Sequence, residues 1–186
     1  MNEALHLKLK LQLQQNGAVS PRAWAAICAE MKFKKVRYNE GFLYQSKGIA
    51  YVADGLLKEY NSQYRDRPSI VNFFNTNQFL FMDERPAQQF FRACVPTLIY
   101  YWNWEALQQL WLQFPELIRI YRNLNVQYIN QCQLRPFLLE EKSAEVKIQR
   151  FYTEYRAIVP LLAKKNIANY LAINYNYFVR HYQKFL

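Results

Sequence analysis

The stretch Asn166-Ile-Ala-Asn-Tyr-Leu-Ala-Ile-Asn-Tyr-Asn-Tyr-Phe-Val-Arg-His-Tyr-Gln-Lys-Phe-Leu186 decides how this chain is read. Ile167, Ala168 and Leu171 recur at helical spacing, which predicts a short helix over 166–171 with these three facing inward. A turn follows at Ala172-Ile173. Asn174 has the side chain of a helix cap, so a second helix starts there, on which Phe178 and Tyr182 lie one turn apart and pack inward. Its other face offers Tyr175, Asn176, Tyr177, Arg180, His181 and Lys184. Two short helices so arranged have the layout of a helix-turn-helix, whose second helix lies in the DNA major groove while nearby cations hold phosphates.

Charge points the same way. The 186 residues include 24 Lys and Arg against 14 Asp and Glu, a formal net charge of +10. Residues 147–186 hold seven of the cations and one anion, so this short tail carries +6 of the +10. A dedicated anion-binding tail explains that asymmetry better than general solubility does.

Upstream, the texture changes twice. From about 33 to 104 the chain has short runs rich in Phe, Tyr, Val and Ile, broken by Gly41, Gly48, Gly55, Asn75-Thr76-Asn77 and Pro86. This is the grammar of an antiparallel barrel or sandwich, with strands expected at 34–38, 42–45, 49–53, 56–60, 69–74, 78–82, 88–94 and 97–102. Asp54-Gly55 reads as a tight hairpin, because glycine accepts the positive φ such a turn needs. Ahead of the strands, Ser20-Pro21 predicts a capped helix over 21–32 lined by Trp24, Ile27, Cys28 and Met31. The leucines at 5, 7, 9, 11 and 13 fit a strand or one face of a helix.

After Asn103 the pattern is helical. Pro115 opens a long helix, and Leu117, Tyr121, Leu124 and Tyr128 form an apolar stripe that wants a partner, read as a seam between two copies of the chain. Pro136 is expected to end or bend this helix. A further helix over 143–157 carries Val146, Phe151, Tyr155 and Ile158 before Pro160 interrupts it.

Other classes are excluded. No segment approaches the roughly 18 consecutive apolar residues of a membrane span, and the first residues do not resemble a secretory signal, so the chain reads as cytoplasmic. Three scattered cysteines and two histidines form neither a disulfide framework nor a metal set. The sequence holds no nucleophile elbow, Walker loop, dinucleotide fingerprint or zinc-protease motif, and no enzyme or cofactor is expected.

Ile167-Ala168-Asn169-Tyr170-Leu171-Ala172-Ile173, followed by Asn174 and Arg180, resembles the I-A-x-Y-L-G-I-T-x-x-x-x-S-R motif of the Crp/Fnr transcription regulators, the cyclic-AMP-receptor-like family. Arg150-Phe151-Tyr152 and Ile158-Val159-Pro160 are similar to the segment leading into it. Glu40-Gly41-Phe42-Leu43 and Tyr51-Val52-Ala53-Asp54-Gly55-Leu56-Leu57-Lys58 resemble the family's sensor barrel, and Trp104-Glu105-Ala106-Leu107 and Phe114-Pro115-Glu116-Leu117 its helix start. No single motif is strong; their collinearity along the whole chain is.

The resemblance implies an α+β fold: a double-stranded β-helix (jelly-roll-like) barrel with N-terminal helices over 1–114, a dimerisation helix over 115–142 and a helix-turn-helix domain over 143–186. It implies a homodimer on double-stranded DNA, read by Asn174, Tyr175, Asn176, Tyr177, Arg180, His181 and Lys184, with Arg180 bidentate on guanine and Asn176 on adenine. The departures also carry information. The family's nucleotide clamp aligns with Phe79-Leu80-Phe81 and with Ala87, Gln88 and Gln89, so its glycine, carboxylate and arginine are absent. A buried phosphodiester without those partners goes uncompensated, so cyclic AMP is not expected as ligand. The effector, if there is one, is expected to be hydrophobic or neutral and to sit between strands 49–60 and 78–92. The family's turn glycine is Ala172 and its serine before the reading arginine is Val179. With six residues past Arg180 in this sequence, the β-hairpin wing of many relatives is expected to be missing. These departures support an alternative from another class, a ligand-binding or protein-interaction module whose helix-turn-helix has decayed.

Overall fold

The computed structural model describes residues 3–42, 44, 47–62, 68–82 and 89–182. The leucine alternation at the start is resolved as helix α1 (Glu3–Gln14), because Leu9 and Leu13, one turn apart, are the residues that bury. Helix α2 (Pro21–Glu30) begins as its sequence dictates, with the Ser20 hydroxyl accepting the Ala23 N–H at 3.1 Å.

Eight strands follow: β1 (Lys32–Val36), β2 (Gly41–Phe42), β3 (Gly48–Asp54), β4 (Leu56–Asn61), β5 (Ser69–Asn75), β6 (Phe79–Met82), β7 (Gln89–Ala93) and β8 (Thr97–Asn103). They form two four-stranded antiparallel sheets, ordered β1-β8-β3-β6 and β2-β7-β4-β5, the order of a jelly roll. Asp54-Gly55 is therefore not a hairpin. The chain turns tightly there, with Gly55 at φ +102, but β3 and β4 belong to opposite sheets. Thr76 and Thr97 hydroxyls take the N–H groups of Gly55 and Leu56 and fix this corner, while a β-carbon at Gly55 would collide with Thr97 and Pro96. Helix α3 (Trp104–Gln113) is capped by Asn103, whose Oδ1 accepts the Ala106 N–H.

Helix α4 (Glu116–Glu140) is not ended by Pro136, and it does not leave its apolar stripe open for a second copy. It runs on through Pro136 for four more residues: the ring forfeits one backbone hydrogen bond, and the fully buried Leu138 anchors the last turn. The stripe Leu117, Tyr121, Leu124 and Tyr128 does not face a second copy but packs on the chain's own barrel. Tyr128 stacks on Phe74 at 6.0 Å and meets Phe81 at 5.3 Å, and Tyr121 lies edge-on to Phe81 at 5.1 Å. The edge of the barrel where β5 and β6 end the two sheets needs an apolar cover, and this face of α4 supplies it. What α4 turns outward instead is Ile118, Val126, Ile129 and Phe137, which are 37%, 55%, 46% and 53% exposed.

The rest is helical: α5 (Ala144–Glu154), a 3-10 turn (Val159–Leu161), α6 (Lys164–Tyr170) and α7 (Tyr175–Tyr182). Two apolar cores result. One fills and flanks the barrel; the other joins the outer face of β4 and β5 to the C-terminal helices.

Candidate nucleic-acid interface

Between α6 and α7 the chain reverses in four residues, 171–174. Ala172 adopts φ +53, the left-handed conformation that glycine takes without strain, and the Ile173 N–H closes the turn on Ala168 O at 2.9 Å. Asn174 then caps α7, its Oδ1 accepting the N–H groups of Asn176 at 2.9 Å and Tyr177 at 3.3 Å. Ile167, Ala168, Leu171 and Phe178 are buried between the two helices, so the inward set read from the sequence is the one that packs. Tyr182 joins them against Phe178 and Tyr152, with the Lys164 ammonium 4.4 Å from the centre of its ring.

The outward face carries Tyr175, Asn176, Tyr177 and Arg180, all exposed. Arg180 has no hydrogen bond or ion pair among the described residues, so its five N–H donors are available to a partner. His181 is differently employed. Its Nδ1 lies 2.9 Å from Glu145 Oε1 on α5, and its ring stacks on Tyr177 at 4.2 Å. The pair braces the end of α7 against α5. Asn174 spends its side-chain oxygen on the cap, and Lys184 lies outside the described residues. Lys164 and Lys165, both exposed, flank the first helix, as does Arg156 just before the 3-10 turn. Arg150 instead pairs with Glu141 at 2.8 Å.

Sequence reasoning missed how this head is mounted. Asn169 occupies the open edge of β5: its Oδ1 accepts the Ile70 N–H at 2.6 Å and its Nδ2 donates to Pro68 O at 3.1 Å, as a neighbouring strand would. Phe73 projects from the same strand into a nest of Phe151, Tyr155 and Tyr170, with centroids 6.2, 5.7 and 5.1 Å away. The hydroxyls of Tyr155 and Tyr170 share a hydrogen bond at 2.9 Å. Burial pushes the Tyr155 phenol up to about 12 and the Tyr170 phenol higher still. Arg135 of α4 donates from Nε to Tyr170 O at 2.9 Å, and the buried Lys58 reaches Asn166 Oδ1 at 3.5 Å. The signal was present only as a run of aromatic residues, Phe73, Phe151, Tyr155 and Tyr170, whose distance in sequence hid their meeting.

The residues aligned with a nucleotide clamp are filled by the protein itself. Phe79, Leu80 and Phe81 are buried in β6, where Phe79 rests on Tyr51 at 4.8 Å and Phe81 meets α4. Ala87 and Gln88 lie outside the described residues, and Gln89 opens β7. An apolar cavity of about 60 Å³ lies where sheet and helices meet, lined by Phe79, Trp102, Trp111 and Leu124 among others.

No family model matches the chain, and no curated protein matches it in sequence. Solved structures do match in fold. FixK2 of Bradyrhizobium japonicum superposes with a TM-score of 0.71 at 14% identity, covering 83% of this chain and 83% of its own. A transcriptional regulator of the Crp/Fnr family from Eubacterium rectale gives 0.67 at 14% identity over 89% of this chain and 83% of its own. CLP, the c-di-GMP-responsive global regulator of Xanthomonas campestris, gives 0.67 at 15% identity over 89% and 91%. No helix among the described residues is long and apolar enough to cross a membrane. Barrel, long helix and helical head, joined in this order, give the chain the fold of the Crp/Fnr regulators.

Proposed function

We propose that the chain is a DNA-binding transcription regulator, not an enzyme, acting as a homodimer in the cytoplasm. The observation that carries this reading is the head: α7 buries Phe178 at full depth while Arg180 stands exposed and uncommitted. Arg180 is the guanine reader and Asn176 the adenine reader, each presenting paired groups that match one base edge. Tyr175 and Tyr177 contact phosphates or thymine methyls. Lys164, Lys165 and Arg156 grip the backbone beside the groove, with Lys184 as a further phosphate contact, and His181 sets the angle of Tyr177.

Two copies associate through the outward face of α4, Ile118, Val126, Ile129 and Phe137, because a palindromic site needs two heads. Barrel, helix and head divide near residues 114 and 142. The buried aromatics of β6 leave the barrel unsuited to a cyclic-nucleotide phosphate, so cyclic AMP is not the effector.

Anisotropy titration against duplex fragments of the source genome tests the reading. Saturable binding that weakens steeply with salt and drops at least tenfold in Arg180→Ala supports it. Weak binding that the variant shares would instead favour an interaction module, for which the exposed Tyr175 and Tyr177 would be the contact residues.

A further inference from the structure

The turn between β5 and β6 lies beside the middle of α4. Asn77 holds φ +70 there, its N–H donates to Val52 O at 2.8 Å and the Val52 N–H donates to Gln78 O at 3.0 Å, so β3 fixes the turn. Between turn and helix opens a cleft of about 290 Å³, lined by four carboxamides, Asn77, Gln78, Gln127 and Gln131, together with Phe79 and Tyr128. Each carboxamide is half spent. Gln78 Oε1 accepts the Asn75 N–H at 2.6 Å, and Gln131 Nε2 donates to Phe73 O at 2.7 Å and to Gln78 Oε1 at 3.3 Å. Gln127 Nε2 donates to Asn16 Oδ1 at 2.9 Å, and Asn77 Oδ1 accepts the Tyr51 hydroxyl at 2.8 Å. Backbone groups fix the orientation of Gln78 and Gln131, and Asn16, which orients Gln127, itself donates to Gln12 O. What stays without a partner among the described residues is a donor group on Asn77 and on Gln78 and an acceptor on Gln127 and on Gln131.

Among the described residues no Lys, Arg, His, Asp or Glu lines the cleft, so it offers an ion no counter-charge. A flat base needs a ring face to stack on, but Tyr128 gives its face to Phe74 at 6.0 Å and Phe79 rests on Tyr51 at 4.8 Å. A hydroxyl both donates and accepts, and so suits idle donors and idle acceptors alike. We propose that this cleft binds an uncharged sugar ring, whose hydroxyls bond the four carboxamides. Its volume, at the lower end of small-ligand sites, fits one ring and not a nucleotide. As an effector site it rests on the regulator reading: Gln131 is tied to Phe73 O, and Phe73 is the residue that seats the aromatic nest of the head.

Glucose, galactose and mannose, with their 2-amino and uronate forms, vary charge on one ring shape, and amide chemical-shift titration and thermal shift on the full chain separate them. At least one neutral hexose shifts resonances centred on Asn77, Gln78, Gln127 and Gln131 saturably and raises Tm, and its amino and uronate forms bind at least tenfold more weakly. Asn77→Gly takes φ +70 freely and Gln127→Met alters an exposed position, so both keep the fold, and each costs the neutral sugar at least tenfold. No binding by any of the three hexoses, shifts centred elsewhere, a charged form as tight as its neutral parent, or both variants binding like the wild type would overturn the site. Because these readouts need no DNA, sugar binding by a chain without DNA affinity would leave the site standing and remove the regulator, and DNA binding without sugar binding would do the reverse.

Discussion

Asn169→Ala asks whether the head is fastened to the barrel or merely tethered beside it. The side chain makes two hydrogen bonds to the edge of β5, at 2.6 and 3.1 Å, and Ile70, whose N–H it accepts, is 1% exposed. A typical bond contributes about 1 kcal/mol net, and stranding a buried N–H costs about 1–3 kcal/mol more. The substitution should therefore destabilise the joint by about 2–4 kcal/mol. That is a large share of a total stability on the order of 10 kcal/mol. Urea unfolding followed by circular dichroism gives the global loss, and amide hydrogen exchange at Ile70 and in α6 gives the local one. The expected result is a lower midpoint with exchange at Ile70 faster by at least thirtyfold, about 2 kcal/mol. A loss below about 0.5 kcal/mol, with Ile70 still protected, would mean that the aromatic nest around Phe73 holds the head alone and that the edge contact is incidental.

Three further outcomes follow from the same geometry. Ala172→Gly relieves a left-handed residue that costs about 1–2 kcal/mol, partly offset by glycine's greater freedom when unfolded, so it should raise stability by about 0.5–1 kcal/mol in thermal melts; an unchanged or lower Tm would contradict the turn. Ile129→Glu sets two carboxylates facing each other across the outward face of α4 and should shift the chain to monomer in analytical ultracentrifugation, whereas Leu124→Glu should unfold the barrel side first; a dimer that survives Ile129→Glu places the seam elsewhere. Tyr51 and Tyr155 are both pushed up to about 12 by burial, while unfolded tyrosine ionises near 10. Their contribution is whole below about pH 10 and drains as pH rises through about 12, so alkaline titration should show unfolding and tyrosinate absorbance appearing together in that window. Tyrosinate forming near pH 10 in a still-folded chain would refute it.

Local chemistry made much of this fold legible. Ser20-Pro21, Asn103 and Ser143 start helices because a side-chain oxygen and a free N–H meet within three residues, and no distant contact intervenes. The turn at Ala172 and the inward set Ile167, Leu171 and Phe178 are local for the same reason, so the head was readable, as were the strands apart from the one expected at 42–45, of which β2 holds only Phe42 while residues 43 and 45 lie outside the described residues. Sheet partnership was not local: Asp54-Gly55 looks like a hairpin within its own eight residues, and only pairing with β5, β7 and β8 sends its two arms to different sheets. An apolar stripe on α4 states that something must cover it without stating what, and the barrel edge formed by β5 and β6 claimed it before a second copy could. Asn169 sealing β5, Asn72 left with an idle oxygen inside the barrel, and Phe73 in its ring of tyrosines all depend on residues 13 to 101 positions apart. Spacing along a chain fixes which groups share a face, and the closing of the chain on itself fixes what that face meets.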